Sequence, residues 1–70
     1  MKVIYDRETD MLRILLSAAA VEESDEAKPG LVFDYDRNGN VVGIEIMDAS
    51  RRVDNPCGVE YAVTGLAAAS

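Results

Sequence analysis

The sequence has no histidine, no tryptophan, two prolines and a single cysteine, Cys57. Each shortage removes a class of chemistry. Without histidine there is no imidazole base for a serine or cysteine nucleophile. With one cysteine no disulfide closes within the chain, and no Cys/His zinc site can be assembled from it. Cys57 has no histidine and no evident cation cluster to activate it, so it reads as a buried or tail thiol. Positive charge is scarce as well. Seven Lys and Arg stand against thirteen Asp and Glu, a net charge of −6, and phosphate binding needs the opposite balance. The adjacent Arg51 and Arg52 are too small a patch to reverse this expectation of no nucleic-acid partner. No apolar run approaches the ~20 residues of a membrane span, and MKVIYDRETD carries no apolar signal core. The expectation is a cytoplasmic protein with no membrane partner.

What is present is a chain rich in apolar residues, 49 % of 70, and this is too many for disorder. A chain of this length buries only ~60 % of the surface its unfolded form exposes. It has no disulfide or zinc staple, so self-association is the remaining source of stability.

Period-two patterning dominates. KVIY and MLRILLS flank the polar cluster DRETD and read as a hairpin, with Leu12, Ile14 and Leu16 on one face of the second run. LVFDY and VVGIEIM flank DRNGN. Leu31, Phe33 and Tyr35 alternate with Val32 and Asp34, while Val42, Ile44 and Ile46 alternate with Val41, Gly43, Glu45 and Met47. Gly39 supplies the positive φ that such a turn needs. Between the hairpins, SAAAVEESDEAKP ends at Pro29 and Gly30; its acidic part reads as a solvated loop or an edge strand guarded by like charges. Asp48 is placed to cap a short helix from Ala49, with Arg51 and Arg52 toward its C-terminal end. The tail CGVEYAVTGLAAAS fits a strand (Val59, Tyr61, Val63) and a helix face (Val59, Val63, Leu66) equally.

These elements give an α+β fold: an antiparallel sheet of four or five strands from two hairpins, with one short helix after the last strand. Residues 1–52 form the domain. Residues 53–70 form a C-terminal tail, partly ordered or packed on a partner subunit. The order of strands between the hairpins is left open.

One stretch offers a competing reading. Residues 34–45, DYDRNGNVVGIE, fit the calcium-loop pattern, with Asp34, Asp36 and Asn38 as oxygen donors, Gly39 at the turn and Glu45 as the closing carboxylate. Such a loop needs a helix on each side. Pro29 and Gly30 fall inside the first of these, at ~3 and ~1 kcal/mol against helix formation. Both flanks carry the strand period instead. As a hairpin, Asp34 and Glu45 become neighbours on the solvent face of adjacent strands, where their repulsion invites at most weak cation binding. No dedicated metal site and no cofactor is therefore expected. Gly30, Gly39, Gly43, Gly58 and Gly65 lack P-loop spacing. Tyr5, Tyr35 and Tyr61 read as amphipathic strand residues, and scattered carboxylates on a small sheet lack the pocket that acid–base catalysis needs. A non-enzymatic protein is expected.

Two blocks in order, Y-D-x-E-x-D-x-L-x-I-x-L-S near the start and P-G-L-V-F-D-Y-D-x-x-G-x-V-V-G-I-E-I-x-D-A-S, resemble a family of small, mostly bacterial proteins, domain of unknown function 2283. The resemblance covers residues 1 to about 52 and leaves the tail outside. It implies an intracellular setting and brings no catalytic residues to carry over. Through the small toxin-like proteins encoded beside some members, it implies an antitoxin-like or partner-binding role; the chain's own acidity suits a small basic protein as that partner. The residues themselves point to a homodimer or higher oligomer. They carry one strongly apolar face (Leu12, Ile14, Leu16, Leu31, Phe33, Val42, Ile44, Ile46) that one short helix cannot cover. An oligomeric module with a small-ligand or weak cation site on the acidic hairpin is the alternative.

Overall fold

The computed structural model describes residues 1–66. The chain forms β1 (Lys2–Asp6), β2 (Met11–Leu15), β3 (Glu23–Lys28), β4 (Leu31–Tyr35), β5 (Val41–Ile46) and a single helical turn, α1 (Ala49–Arg52). All strand pairings are antiparallel, in one sheet of order β1-β2-β5-β4-β3. The two expected hairpins are β1–β2 and β4–β5. The acidic stretch supplies the fifth strand, β3, exposed along its whole length at one edge of the sheet.

The order between the hairpins, which the sequence left open, is settled by β2 pairing with β5. This junction aligns apolar residues into two rungs. Tyr5, Leu12, Ile46 and Leu31 lie across β1, β2, β5 and β4; Val3, Ile14, Ile44 and Phe33 form the next rung on the same face. The opposite face carries Ile4, Arg13, Glu45 and Val32 in one row, and Lys2, Leu15, Gly43 and Asp34 in the other. A bulge places an extra residue in β5: Asp34 faces Gly43, but Tyr35 faces Val41. Val42, the residue between, is buried, and its carbonyl accepts from the amides of Leu16 and Ser17 at 2.9 and 3.3 Å. The bulge thus ties the end of the first hairpin to the second.

The helix forms where expected but is capped differently. Asp48 adopts the left-handed conformation, φ 53°, and its side chain makes no cap hydrogen bond. The expectation that Asp48 caps α1 is therefore corrected, because capping needs an extended residue whose side chain folds back over the first turn. Asp10, in the β1–β2 turn, does this work from forty residues away. Its carbonyl accepts from the Ala49 amide at 2.9 Å, Oδ1 from the Ser50 amide at 3.0 Å and Oδ2 from the Ser50 hydroxyl at 2.6 Å. The Tyr5 hydroxyl donates to the same Oδ1 at 2.8 Å. At the other end, Arg52 donates to the Pro29 carbonyl at 2.6 Å and its guanidinium lies against Gly30, where a Cβ would come within 2.7 Å of Nη2. Gly30, at φ 81°, is thus required both by its backbone conformation and by this approach. The helical turn clasps the β1–β2 and β3–β4 turns at one end of the sheet, with Ala49 itself fully buried.

Beyond Arg52 the described part of the tail, residues 53–66, forms neither helix nor strand, and Val59, Tyr61, Val63 and Leu66 are exposed. The tail expectation for residues 67–70 lies outside the described residues.

The clasp predicts an order of effects. Asp10→Ala removes the oxygens that hold both Tyr5 and Ser50, and should lower the melting temperature clearly. Asp48→Gly relieves a left-handed non-glycine residue, and should leave stability unchanged or raise it by up to about 1 kcal/mol. Thermal denaturation of the two variants followed by circular dichroism checks this; the reverse order would restore Asp48 as the cap.

Candidate functional site

The hairpin separates the residues of the calcium-like pattern. Asp36 organises the turn. Its Oδ1 accepts from the amides of Asn38 and Asn40, each at 2.9 Å, and Oδ2 from the Asn40 side chain at 3.3 Å. These bonds, led by the Asn40 amide, hold the Asp36 carboxyl below the usual carboxylate range. The Gly39 amide closes the turn on the Asp36 carbonyl at 3.1 Å, with Gly39 at φ 81° as its position requires. Asn38 is exposed at the tip. Among the described residues no group of three or more Cys, Asp or Glu is arranged to hold a metal ion.

Asp34 and Glu45 do lie near each other, on the face opposite the apolar rungs, but Asp34 is not solvent-facing as expected. It is 6 % exposed. Its space comes from Gly43, directly opposite on β5, where a Cβ would stand 2.9 Å from Asp34 Oδ2. Ser24, its partner on β3, donates a hydroxyl hydrogen bond to Oδ1 at 2.6 Å. Glu45 lies diagonally beyond Gly43. Its carboxyl is pushed up chiefly by a hydrogen bond with Asp34, then by desolvation and by the negative charge of Asp34, with Arg13 opposing. Sequence patterning gave the two carboxylates as neighbours. It missed Ser24 and the glycine that makes room, because the pairing of β3 with β4 had no sequence signal of its own.

A second polar centre, Tyr5–Asp10–Ser50, was also absent from the sequence reading. The hydrogen bonds from Ser50 and then Tyr5 lower the Asp10 pKa, and the bond to Asp10 raises that of Tyr5. These bonds join residues far apart in the chain, and the DRETD cluster reads locally only as a turn. Cys57 is exposed and accepts a long contact from Arg7 at 3.5 Å.

The largest feature is the apolar face itself. Among the described residues only Leu12, Val42 and Ala49 are buried apolar ones, and no large side chain is fully enclosed. Ile14, Leu31, Phe33, Ile44 and Ile46 are half-buried, and Val3 and Leu16 are exposed. The chain is thus a small α+β protein made of one sheet with one helical turn. The DUF2283 family model, described as a protein of unknown function, matches residues 2–50, and the chain belongs to that family. No curated protein and no solved structure matches it. Among the described residues no helix is long and apolar enough to cross a membrane.

The carboxyl groups set a pH dependence. The stability linked to Glu45, whose folded pKa is raised, is fully present below the ordinary glutamate value of about 4.3 and is lost as pH rises through its folded value. That linked to Asp10 and Asp36, whose folded pKa values are lowered, is present above the ordinary aspartate value of about 3.9 and is lost as pH falls through theirs. Stability should therefore rise from neutral pH toward the mildly acidic range and fall below about pH 4. Glu45→Gln should remove the rise and add up to about 1 kcal/mol at neutral pH, the scale of a relieved like-charge pair on a sheet. Urea titrations across pH measure both; a wild-type profile flat from neutral to mildly acidic pH would contradict a raised Glu45 pKa.

Proposed function

We propose that the protein is a self-associating interaction module, non-enzymatic, whose sheet packs through its apolar face against a second copy. The observation that carries this is the pair of apolar rungs that the β2–β5 junction builds and the single helical turn leaves uncovered. Leaving such side chains in water forgoes ~1.5–3 kcal/mol each. The apolar rungs span four strands spaced ~4.8 Å, and packing them on a second copy withdraws the apolar side chains of both copies from water. A two-fold arrangement covers both faces at once and closes the assembly.

A second reading has its own observation. The edge strand β3, with Glu23, Asp25 and Glu26 exposed, presents a run of negative charge that suits a small basic protein, in an antitoxin-like role. The apolar face and this edge are separate surfaces, so the two readings are compatible. Binding of a small ligand or cation at the acidic hairpin has less support, since the oxygens of Asp36 are taken up by its own turn.

Phe33→Asp places a charge on the apolar face, at the β4 end of the Val3–Ile14–Ile44–Phe33 rung. It should convert the assembly to monomers by size-exclusion chromatography with light scattering, while far-ultraviolet circular dichroism keeps the strand signal. An unchanged assembly size would exclude packing through this face. Affinity capture at native expression, read by mass spectrometry, tests the second reading: one stoichiometric basic protein supports it, and recovery of the chain alone removes it.

A further inference from the structure

The two edges of the sheet differ in kind. Edge strands expose unpaired backbone groups, and proteins guard them with charge or irregularity. β3 is guarded on both counts. Its sequence is ESDEAK, exposed throughout, and its register with β4 shifts between Glu26 and Lys28. β1, at the other edge, has the sequence KVIYD, is regular along its five pairs with β2, and carries one charge at each end.

A two-fold axis perpendicular to a sheet can join two copies of an edge strand in one way only. The strands run antiparallel, and one residue meets its own copy on the axis. For β3 that residue would be Asp25 or Glu26, a like-charge clash in either case. For β1 the central residue is Ile4. Every other pair then matches. Lys2 faces Asp6 of the second copy, and Asp6 faces Lys2. On the apolar side Val3 faces Tyr5, and Tyr5 faces Val3. The strand is complementary to itself in charge and in hydrophobicity along its whole length.

The tail fits the same junction. Pro56, Cys57 and Val59 line a shallow cleft with Val3, Tyr5 and Arg7, and Val59 and Tyr61 line another with Met1 and Val3. All these β1-side residues have odd numbers, so the tail flanks the strand on its apolar side. Among the described residues, the tail makes no backbone hydrogen bond to β1. The outer backbone of β1 is left for another strand, while Met1, Val3, Val59 and Tyr61, 76 %, 39 %, 64 % and 75 % exposed, stand beside the axis.

We infer that β1 is a homotypic docking edge: two copies pair antiparallel through Lys2–Asp6, with Ile4 on the two-fold axis, and extend the sheet to ten strands. This junction differs from packing through the apolar face and does not depend on it. Where both form, the product is larger than a dimer.

The test is disulfide trapping in a Cys57→Ser background. Directly opposed residues on antiparallel strands have Cα atoms about 4.5–5.5 Å apart, within reach of a disulfide. Under mild oxidation Ile4→Cys should give mostly covalent dimer. Ser24→Cys, on the guarded edge, should stay monomeric and measures random collision. Val3→Cys and Tyr5→Cys should each cross-link poorly alone and efficiently when mixed, which fixes the register and provides a second readout should Ile4→Cys fold poorly. Circular dichroism confirms the sheet in each variant. Cross-linking of the Ile4→Cys chain and of the mixture no better than Ser24→Cys would overturn the proposal. Light scattering of the reduced protein separates the two ideas: an assembly that persists without trapping at β1 leaves the apolar-face reading standing, and a monomer without trapping removes both.

Discussion

The structure depends on one long-range pairing, β2 against β5. Each hairpin is local and could form by itself, but a lone hairpin is marginal in water. The β2–β5 ladder joins them, and it makes a continuous apolar surface from residues that otherwise belong to two small ribbons. The clasp at the end of the sheet serves the same junction. Asp10 in the β1–β2 turn and Pro29–Gly30 in the β3–β4 turn are both held by α1, so the helical turn fixes the entries to β2 and β4, the two strands that flank β5. Four residues of helix contribute little area. Their value is that they satisfy polar groups from the β1–β2 and β3–β4 turns at once.

The same junction explains why the chain looks unfinished by itself. Sheet proteins bury one face against another layer. Here, among the described residues, one helical turn and the irregular tail beside β1 are all that lies over the sheet, and the apolar rungs remain half-exposed. The other face spends its central position on a polar arrangement, Ser24–Asp34–Glu45 beside Gly43, in which the Ser24 hydroxyl satisfies Asp34 and Gly43 leaves room for its carboxylate.

Much of this was legible in the sequence. The strands of both hairpins, their apolar faces, the Gly39 turn and the start of the helix at Ala49 all follow from period-two patterning and local turn chemistry, which act between near neighbours. The hairpin reading of residues 34–45 rested on Pro29 and Gly30, and the observed strands agree with it. What patterning could not give was anything set by distant partners. The capping role went to Asp48 because it precedes the helix; Asp10 holds it because folding brings the first turn there. Asp34 was expected in solvent because alternation placed it on the polar face. Its burial comes from Gly43 and Ser24, on two other strands. Strand order was open for the same reason, since no local signal distinguishes β2 from β1 as the neighbour of β5.

The central claim is that the apolar face is covered by another copy of the chain. Sedimentation equilibrium of the wild-type protein across micromolar concentrations tests it most directly. The account predicts a dimer or larger species whose mass persists on dilution through that range. A single species at the mass of one chain, with the sheet intact by circular dichroism, would contradict it.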